Sequence, residues 1–149
     1  MEVSTRHFGN IEVSESEIIA FECGLPGFPD DKNFIIIVDE NAENRFYWLQ
    51  SMDDGEISLV LIDSFDMMPD YDPLIDESEI EALGLLDIED LLVFNVAVIG
   101  ENMSDSLVNL KAPVVINNRT KKGKQIIVNN EDYCTSHNLE ECIKNEGRV

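Results

Sequence analysis

Positive charge is scarce in this 149-residue sequence, which has 10 Lys and Arg residues against 31 Asp and Glu residues and a formal net charge of −21. The scarcity is also local, because no Lys, Arg or His occurs between Arg45 and Lys111, whereas Asp and Glu occur sixteen times there. A chain this acidic repels phosphates, so direct binding to nucleic acid or to an anionic membrane is not expected. It attracts a basic protein, although the same acids would also serve solubility alone.

Long apolar runs and metal-ligand patterns are missing as well. No apolar stretch approaches the roughly 18 residues of a membrane span, and the N-terminus does not resemble a secretory leader. The three cysteines, Cys23, Cys134 and Cys142, are odd in number and widely spaced, and together with His7 and His137 they match no common zinc pattern. The sequence therefore predicts a cytoplasmic protein with no disulfide framework, no metal and no cofactor.

Recognisable catalytic patterns are also absent. The chain has no Gly-x-Ser-x-Gly, and Cys23 has no basic neighbour in the local sequence that would activate its thiol. The glycine-containing segment 24–29 lacks the Lys-Ser/Thr of a phosphate loop. No catalytic residue is predicted, and a protein that is not an enzyme is the favoured interpretation.

Short segments rich in β-branched and aromatic residues dominate what is present. Several are continuous apolar runs, which predicts burial on both faces, as in a compact barrel partly covered on its outside. The last two flank a polar, basic connection, 117–124, that is typical of a hairpin loop. The predicted strands are 18–21, 34–38, 46–49, 57–62, 91–99, 114–116 and 125–128.

Helix is sparse in this pattern. Residues 76–86 have apolar residues at helical spacing and early acids, with Asp76 or Ser78 as the N-cap. The polar C-terminal segment 138–149 is predicted as a short helix or a frayed tail. The expected fold is mostly β: a single-domain, small β-barrel-like fold over residues 1–137 with one or two short helices.

Two further motifs carry structural expectations. In Gly24-Leu25-Pro26-Gly27-Phe28, Pro26 presets φ and Gly27 permits a positive φ, which predicts a type II turn presenting Phe28. The single Trp48 lies in an aromatic run and is predicted to be a core residue rather than a binding anchor.

The segment 63–73 is the most unusual, because carboxylates alternate there with Phe, Met and Tyr. Its spacing does not fit an EF-hand calcium loop. The preferred interpretation is an interaction surface, in which soft apolar residues make contact and acids orient the partner, over a solvated loop pinned by Phe65 and Tyr71. Two alternatives stay open: a metal-assisted hydrolase using the acidic loop 63–72, and a general acidic mimic of nucleic acid.

Five fragments in register make the chain similar to a known family. They are Phe21 with 24–28, Trp48-Leu49-Gln50-Ser51, Pro69-Asp70-Tyr71, the block Asn109-Leu110-Lys111-Ala112-Pro113-Val114-Val115-Ile116-Asn117, and Gln125 with Tyr133. With these fragments the sequence resembles the FliW family of flagellar assembly factors. Tyr47 and Ser136 depart from the family pattern.

The resemblance implies a small β-barrel that switches between two protein partners in the cytoplasm. One is flagellin, and the other is CsrA, a small dimeric RNA-binding protein that represses translation of flagellin message. Flagellin that accumulates would occupy the factor and free CsrA, whereas flagellin export would release the factor to sequester CsrA.

Charge and apolar character then divide the candidate contact residues into two sets. The expected CsrA contacts come from the interval without basic residues: Asp70, Asp72, Asp76, Glu77, Glu79 and Glu81. The expected flagellin contacts, for helix-in-groove docking, are Phe28, Phe65, Met67, Met68 and Tyr71. The basic stretch 119–124 is interpreted as a solvated turn rather than a third contact.

Overall fold

The structure, a computed structural model, describes residues 1–38, 46–84 and 87–144. In these residues no helix is both long and apolar enough to cross a membrane. The three short helices are α1 (Ser64–Met67), α2 (Glu77–Ala82) and α3 (Leu139–Lys144), and 3-10 turns lie at Glu15–Glu17, Ile88–Asp90 and Met103–Asp105. The strands are β1 (Glu2–Thr5), β2 (Gly9–Glu12), β3 (Ile19–Ala20), β4 (Asn33–Val38), β5 (Phe46–Ser51), β6 (Ser58–Asp63), β7 (Leu91–Val98), β8 (Leu107–Val108), β9 (Val114–Asn117), β10 (Lys122–Gln125) and β11 (His137–Asn138).

Seven of the described strands close into a barrel in the order β7-β6-β5-β4-β3-β10-β9, and β9 pairs back onto β7. All of these neighbours are antiparallel except β3 and β10, which are parallel and share the register pair Lys122↔Ala20. Strands β8 and β11 extend the sheet beyond β7, and β1 and β2 form a separate hairpin. The predicted mostly-β, barrel-like fold is confirmed.

The barrel interior is filled by large apolar side chains from every wall. Phe21 and Phe34 meet edge to face with ring centroids 5.2 Å apart, and both are fully buried. Leu49, Leu61 and Phe94 come from β5, β6 and β7 and pack in the same cluster. Because side chains alternate along a strand, the other residues of these strands must point outward.

The outward-pointing residues are covered by chain segments that lie on the barrel. One outer cluster joins Ile62 and Val93 to Met68 and Tyr71, which follow α1, and to Leu139 of α3. A second outer cluster joins Val115 and Ile126 to Leu83 at the end of α2. These two clusters explain the continuous apolar runs, which are buried inside by the barrel core and outside by the helices.

Strand β10 corrects the sequence prediction. The pattern placed this strand on residues 125–128, whereas the structure has it at Lys122–Gln125, paired with β9 through Lys122↔Asn117 and Gln125↔Val114. The displacement arises because Gly123 faces the interior, where a Cβ atom would lie 2.6 Å from Phe21 Cζ. A strand whose inner position must be glycine has no apolar pattern to identify it. The predicted hairpin is confirmed, with a tighter turn that contains Lys121 at φ 58°.

Several elements were not predicted at all. They are the hairpin β1–β2, the two-residue strands β8 and β11, and helix α1 within the predicted loop 63–73. The predicted helix 76–86 is observed as α2, and residues 85 and 86 lie outside the described residues. Helix α3 falls in the predicted C-terminal segment, whose division from the barrel at residue 137 stays a prediction.

The two motif expectations had different outcomes. The type II turn is confirmed, since Gly27 has φ 87° and Phe28 N–H donates to the Leu25 carbonyl at 2.8 Å. The prediction that Trp48 is a core residue is wrong. Trp48 is half-buried on the outer face of β5, beneath His7 at 4.7 Å and Phe8 at 5.6 Å between ring centroids. The unpredicted N-terminal hairpin supplies this cover.

Candidate partner-binding surfaces

The acidic segment from Asp70 to α2 lies flat on the outside of the barrel. Its backbone is held by the chain just after β10: Leu74 N–H donates to Asn130 Oδ1 at 2.7 Å, and Asn130 Nδ2 donates to the Asp72 carbonyl at 2.9 Å. At its far end, buried Asn117 donates from Nδ2 to the Leu83 carbonyl at 2.9 Å. Because its inner side is anchored in this way, the segment presents its carboxylates outward.

Five of the six predicted CsrA-contact residues are exposed, namely Asp70, Asp72, Asp76, Glu77 and Glu81. Asp76 is the N-cap residue of α2, but its side chain caps no helical N–H and instead accepts a hydrogen bond from Asn129 Nδ2 at 2.9 Å. The structure therefore exposes these five residues along one segment of the chain, which lies on the outside of the barrel.

Glu79 differs from the other five, because it is half-buried and is paired with Lys124 of β10, with Nζ and Oε2 2.6 Å apart. The hydrogen bond with Glu79 raises the pKa of Lys124. Glu79 thus acts as an anchor of α2 on the barrel rather than as an outward-facing charge.

Two acids that the sequence analysis did not single out adjoin this surface. Glu131 and Asp132 are exposed and immediately precede Tyr133, whose hydroxyl accepts a hydrogen bond from Asp72 N–H at 3.0 Å. The Tyr133 ring also packs on Tyr71, with centroids 5.1 Å apart. No spacing rule could have joined residues so far apart in sequence. We call the exposed set Asp70, Asp72, Asp76, Glu77, Glu81, Glu131 and Asp132 the acidic face.

The basic stretch of the chain is engaged with groups of this same molecule. Its cations tie the β9–β10 hairpin to the turn after β3, to α2 and to the 3-10 turn before β7. The ion pairs are Lys122–Glu22 at 3.6 Å, Lys124–Glu79 at 2.6 Å and Arg119–Asp90 at 4.0 Å. Lys121 Nζ donates a hydrogen bond to Asn118 Oδ1 at 2.6 Å. Lys111, which precedes the hairpin, donates from Nζ to the Asn130 carbonyl at 2.7 Å. These contacts make the stretch an internal counter-charge for neighbouring acids.

The predicted flagellin contacts do not form one patch. Phe65 is 49% exposed, whereas Met67 is half-buried against the outer cluster and Phe28 is half-buried against the barrel core. Met68 and Tyr71 are buried, and the Tyr71 hydroxyl donates to the Leu110 carbonyl at 2.6 Å. Their selection as contact residues is therefore corrected, since both side chains are buried in the outer cluster and are not exposed to a partner.

The acidic loop also has a structural role. Asp63 is the N-cap of α1, and its side chain accepts a hydrogen bond from Asp66 N–H at 3.3 Å. Across the described residues, no group of three or more His, Cys, Asp or Glu side chains is placed to hold a metal ion. The three cysteines are free thiols.

The fold defines a class: a small closed β-barrel with short helices on its outside and an exposed acidic segment on its surface. The family model described as "FliW protein" matches residues 2–139. The chain belongs to the FliW family of flagellar assembly factors.

Similar proteins agree over nearly the whole chain. The flagellar assembly factor FliW of Thermoanaerobacter pseudethanolicus is 41% identical over 145 residues, which cover 97% of each chain. The factor of the same name from Alkaliphilus metalliredigens is 40% identical over 144 residues, 97% of this chain and 89% of the relative. A crystal structure of the flagellar assembly factor FliW superposes with a TM-score of 0.85 at 33% identity, covering 93% of this chain and 96% of the other. These relatives are named as assembly factors and not as enzymes.

Proposed function

We propose that this protein binds flagellin and CsrA in the cytoplasm and couples flagellin synthesis to flagellin export. Free flagellin occupies the protein, so CsrA remains available to repress translation of flagellin message. When flagellin has been exported, the protein sequesters CsrA and translation resumes. The protein acts by binding alone, without a catalytic residue or a cofactor.

The observation that carries the proposal is the acidic face. Its carboxylates are exposed on a segment anchored to the barrel, so their positions are set before a partner arrives. An RNA-binding protein must present cations to phosphates, and a pre-arranged anionic surface attracts those cations and repels RNA once bound. Membership in a family of flagellar assembly factors supports flagellin as the second partner.

Charge reversal on the acidic face tests the CsrA contact. The variant Asp72→Lys/Glu77→Lys/Glu81→Lys leaves Asp76 and Glu79 unchanged, because these two hold Asn129 and Lys124. We expect the dissociation constant for CsrA, measured by calorimetry at low salt, to rise by at least about tenfold, and its salt dependence to flatten.

The matched control replaces three exposed acids from elsewhere on the chain with lysine, as Glu2→Lys/Glu15→Lys/Glu17→Lys. Both variants change the net charge equally, so a loss confined to the first variant assigns the contact to the acidic face. Equal losses in both would mean that CsrA responds to net charge alone. Unchanged binding in both would remove the acidic face as the CsrA site.

Competition between the partners tests the switch. Purified protein is loaded with CsrA and then titrated with flagellin, and released CsrA is measured by its binding to a labelled RNA. We expect release in proportion to the flagellin added. A protein that captures CsrA and any other basic RNA-binding protein equally well, and ignores flagellin, would instead be a general acidic mimic of nucleic acid.

A further inference from the structure

The inner face of the barrel continues beyond the point where the barrel closes. Strand β9 pairs with β7 only from Leu91 to Phe94, whereas the end of β7 pairs with β8 through Ala97↔Val108 and Val98↔Leu107. Phe94 and Val96 pack against the barrel core. By alternation, Val98 and its cross-strand partner Leu107 extend this core-type face.

This extension is open to solvent. Val98 is 65% exposed, Leu107 40% and the adjoining Ile99 39%. A groove of about 150 Å³ lies here, with Val96, Val98 and Leu107 among its lining residues and Thr135 and Ser136 along one side. We call it the β7–β8 groove. Clustered apolar side chains on such a surface are typical of a site of protein contact.

The turn at the end of the β7–β8 groove is acidic. Glu101 and Asp105 are exposed in the turn that joins β7 to β8, and the turn is fixed by Gly100 N–H donating to Ser106 Oγ at 3.0 Å. A Cβ atom at Gly100 would lie 2.7 Å from Asp105 Cβ, which leaves no room for a larger residue. A ligand of this groove should therefore be apolar along its middle and basic at its margin.

Backbone pairing restricts the shape of that ligand. Strand β8 already has a neighbour on each edge, β7 on one side and β11 on the other. An added strand needs a free sheet edge, which β8 does not offer; the free edge of β11 lies beyond β8, so a strand added there would not cover Val98. What remains is a two-strand surface of side chains, on which a helix can pack its apolar stripe.

We infer that the β7–β8 groove holds an amphipathic helix of a protein partner, with apolar side chains against Val98 and Leu107 and Lys or Arg side chains beside Glu101 and Asp105. The inference rests on the proposed function, under which this helix belongs to flagellin, while CsrA takes the acidic face. It assigns the flagellin contact to a surface different from Phe65 and the rest of the 63–72 segment.

Three variants test this assignment against purified flagellin. Val98→Glu/Leu107→Glu should weaken flagellin binding by at least about tenfold, as loss of a central apolar contact does, and should leave CsrA binding unchanged. Ile127→Glu is the matched control, because Ile127 is an apolar β-branched residue exposed to 72% outside the groove. Phe65→Glu is the competing variant. Full flagellin binding by the double variant would overturn the inference, and so would a loss of flagellin binding in Phe65→Glu alone. Neither result would contradict the proposed function.

Methyl NMR on the unsubstituted protein guards against a variant that fails to fold. Addition of flagellin should shift the methyl signals of Val96, Val98 and Leu107 and leave those of Ile127 in place. Bound flagellin without these shifts contradicts the inference. Self-association that disappears in Val98→Glu would make the groove an interface between two copies, which also overturns it. If the unsubstituted protein captures no flagellin, the proposed function fails, and this inference fails with it.

Discussion

The side chain of Lys124 joins the β9–β10 hairpin to α2 through its ion pair with Glu79. Both side chains are about one-third exposed, so solvent screens the pair and its contribution to stability is roughly 0.5 kcal/mol. A double-mutant cycle of Lys124→Met and Glu79→Gln should measure a coupling free energy of that size by urea denaturation. Because the pKa of Lys124 is raised above 10.5, the coupling is fully present from neutral pH to pH 10.5 and is lost as the pH rises through the folded-state pKa. A coupling that persists above that pH would contradict the pairing.

Tyr71 makes a second prediction at the residue scale. Burial raises the pKa of Tyr71 from 10.0 to about 12. A raised folded-state pKa favours the protonated phenol, so this contribution to stability is present below pH 10 and is lost between pH 10 and 12. Absorbance of the phenolate at alkaline pH should resolve one late-titrating tyrosine, which the variant Tyr71→Phe lacks.

Tyr71→Phe should also destabilise the protein at neutral pH, by about 1–2 kcal/mol, because the buried Leu110 carbonyl loses its donor. The control is Tyr133→Phe, whose hydroxyl accepts a hydrogen bond from the exposed Asp72 N–H and should matter less. Both free energies of unfolding are measured by chemical denaturation. Equal losses in the free energy of unfolding would show that burial does not strengthen the contribution of the Tyr71 hydrogen bond to stability.

At the scale of elements, the seam between β3 and β10 depends on the absence of a side chain at Gly123. A methyl group there would meet the fully buried Phe21 ring at 2.6 Å. Gly123→Ala should cost about 1–3 kcal/mol, as overpacking of a core does. Gly84→Ala is the comparison, since Gly84 has φ 68° and no atom within 4 Å of its would-be Cβ, so only backbone strain of about 1 kcal/mol is expected. Thermal denaturation of the two variants checks whether Gly123→Ala is the more destabilising.

The block 109–117 of the sequence is a structural element as well as a family signature. Asn109 Oδ1 accepts the Ala112 N–H at 2.9 Å, and Asn117 Oδ1 accepts the Arg119 N–H at 3.0 Å while its Nδ2 holds the Leu83 carbonyl. The two asparagines therefore fix the turns before and after β9. Their side chains thereby contribute to the packing of the barrel.

For the whole molecule, a net charge of −21 opposes the compact state by self-repulsion. Adding salt up to about 0.15 M shortens the screening length to about 8 Å and should raise the urea midpoint. The surface ion pairs weaken under the same conditions, but each contributes little. A midpoint that falls with added salt would show that the ion pairs outweigh the repulsion.

The two proposed partners should respond differently to salt. Association with CsrA through the acidic face should slow by at least about tenfold between low and physiological ionic strength, because long-range attraction is screened. Flagellin binding in an apolar groove should change much less in affinity. Stopped-flow association rates for the two partners separate these cases.

Composition and short-range spacing determined the barrel class, the Pro26–Gly27 turn, helix α2 and the acidic character of the surface. These features depend on residue types a few positions apart, so a single sequence carries them. The sequence could not locate β10, because its inward-facing position must be Gly123, which carries no apolar side chain. It could not locate β8 and β11 either, because each is only two residues long.

Only the tertiary structure decided which of the candidate residues face solvent. Met68 and Tyr71 are buried by α3 and β8, and Glu79 is taken by Lys124, through contacts between segments that are remote in sequence. The same long-range packing placed Glu131 beside the acidic segment and left Val98 exposed, because β9 pairs with β7 only as far as Phe94. Exposure and pairing are set by which distant segments meet, and that information is absent from local spacing.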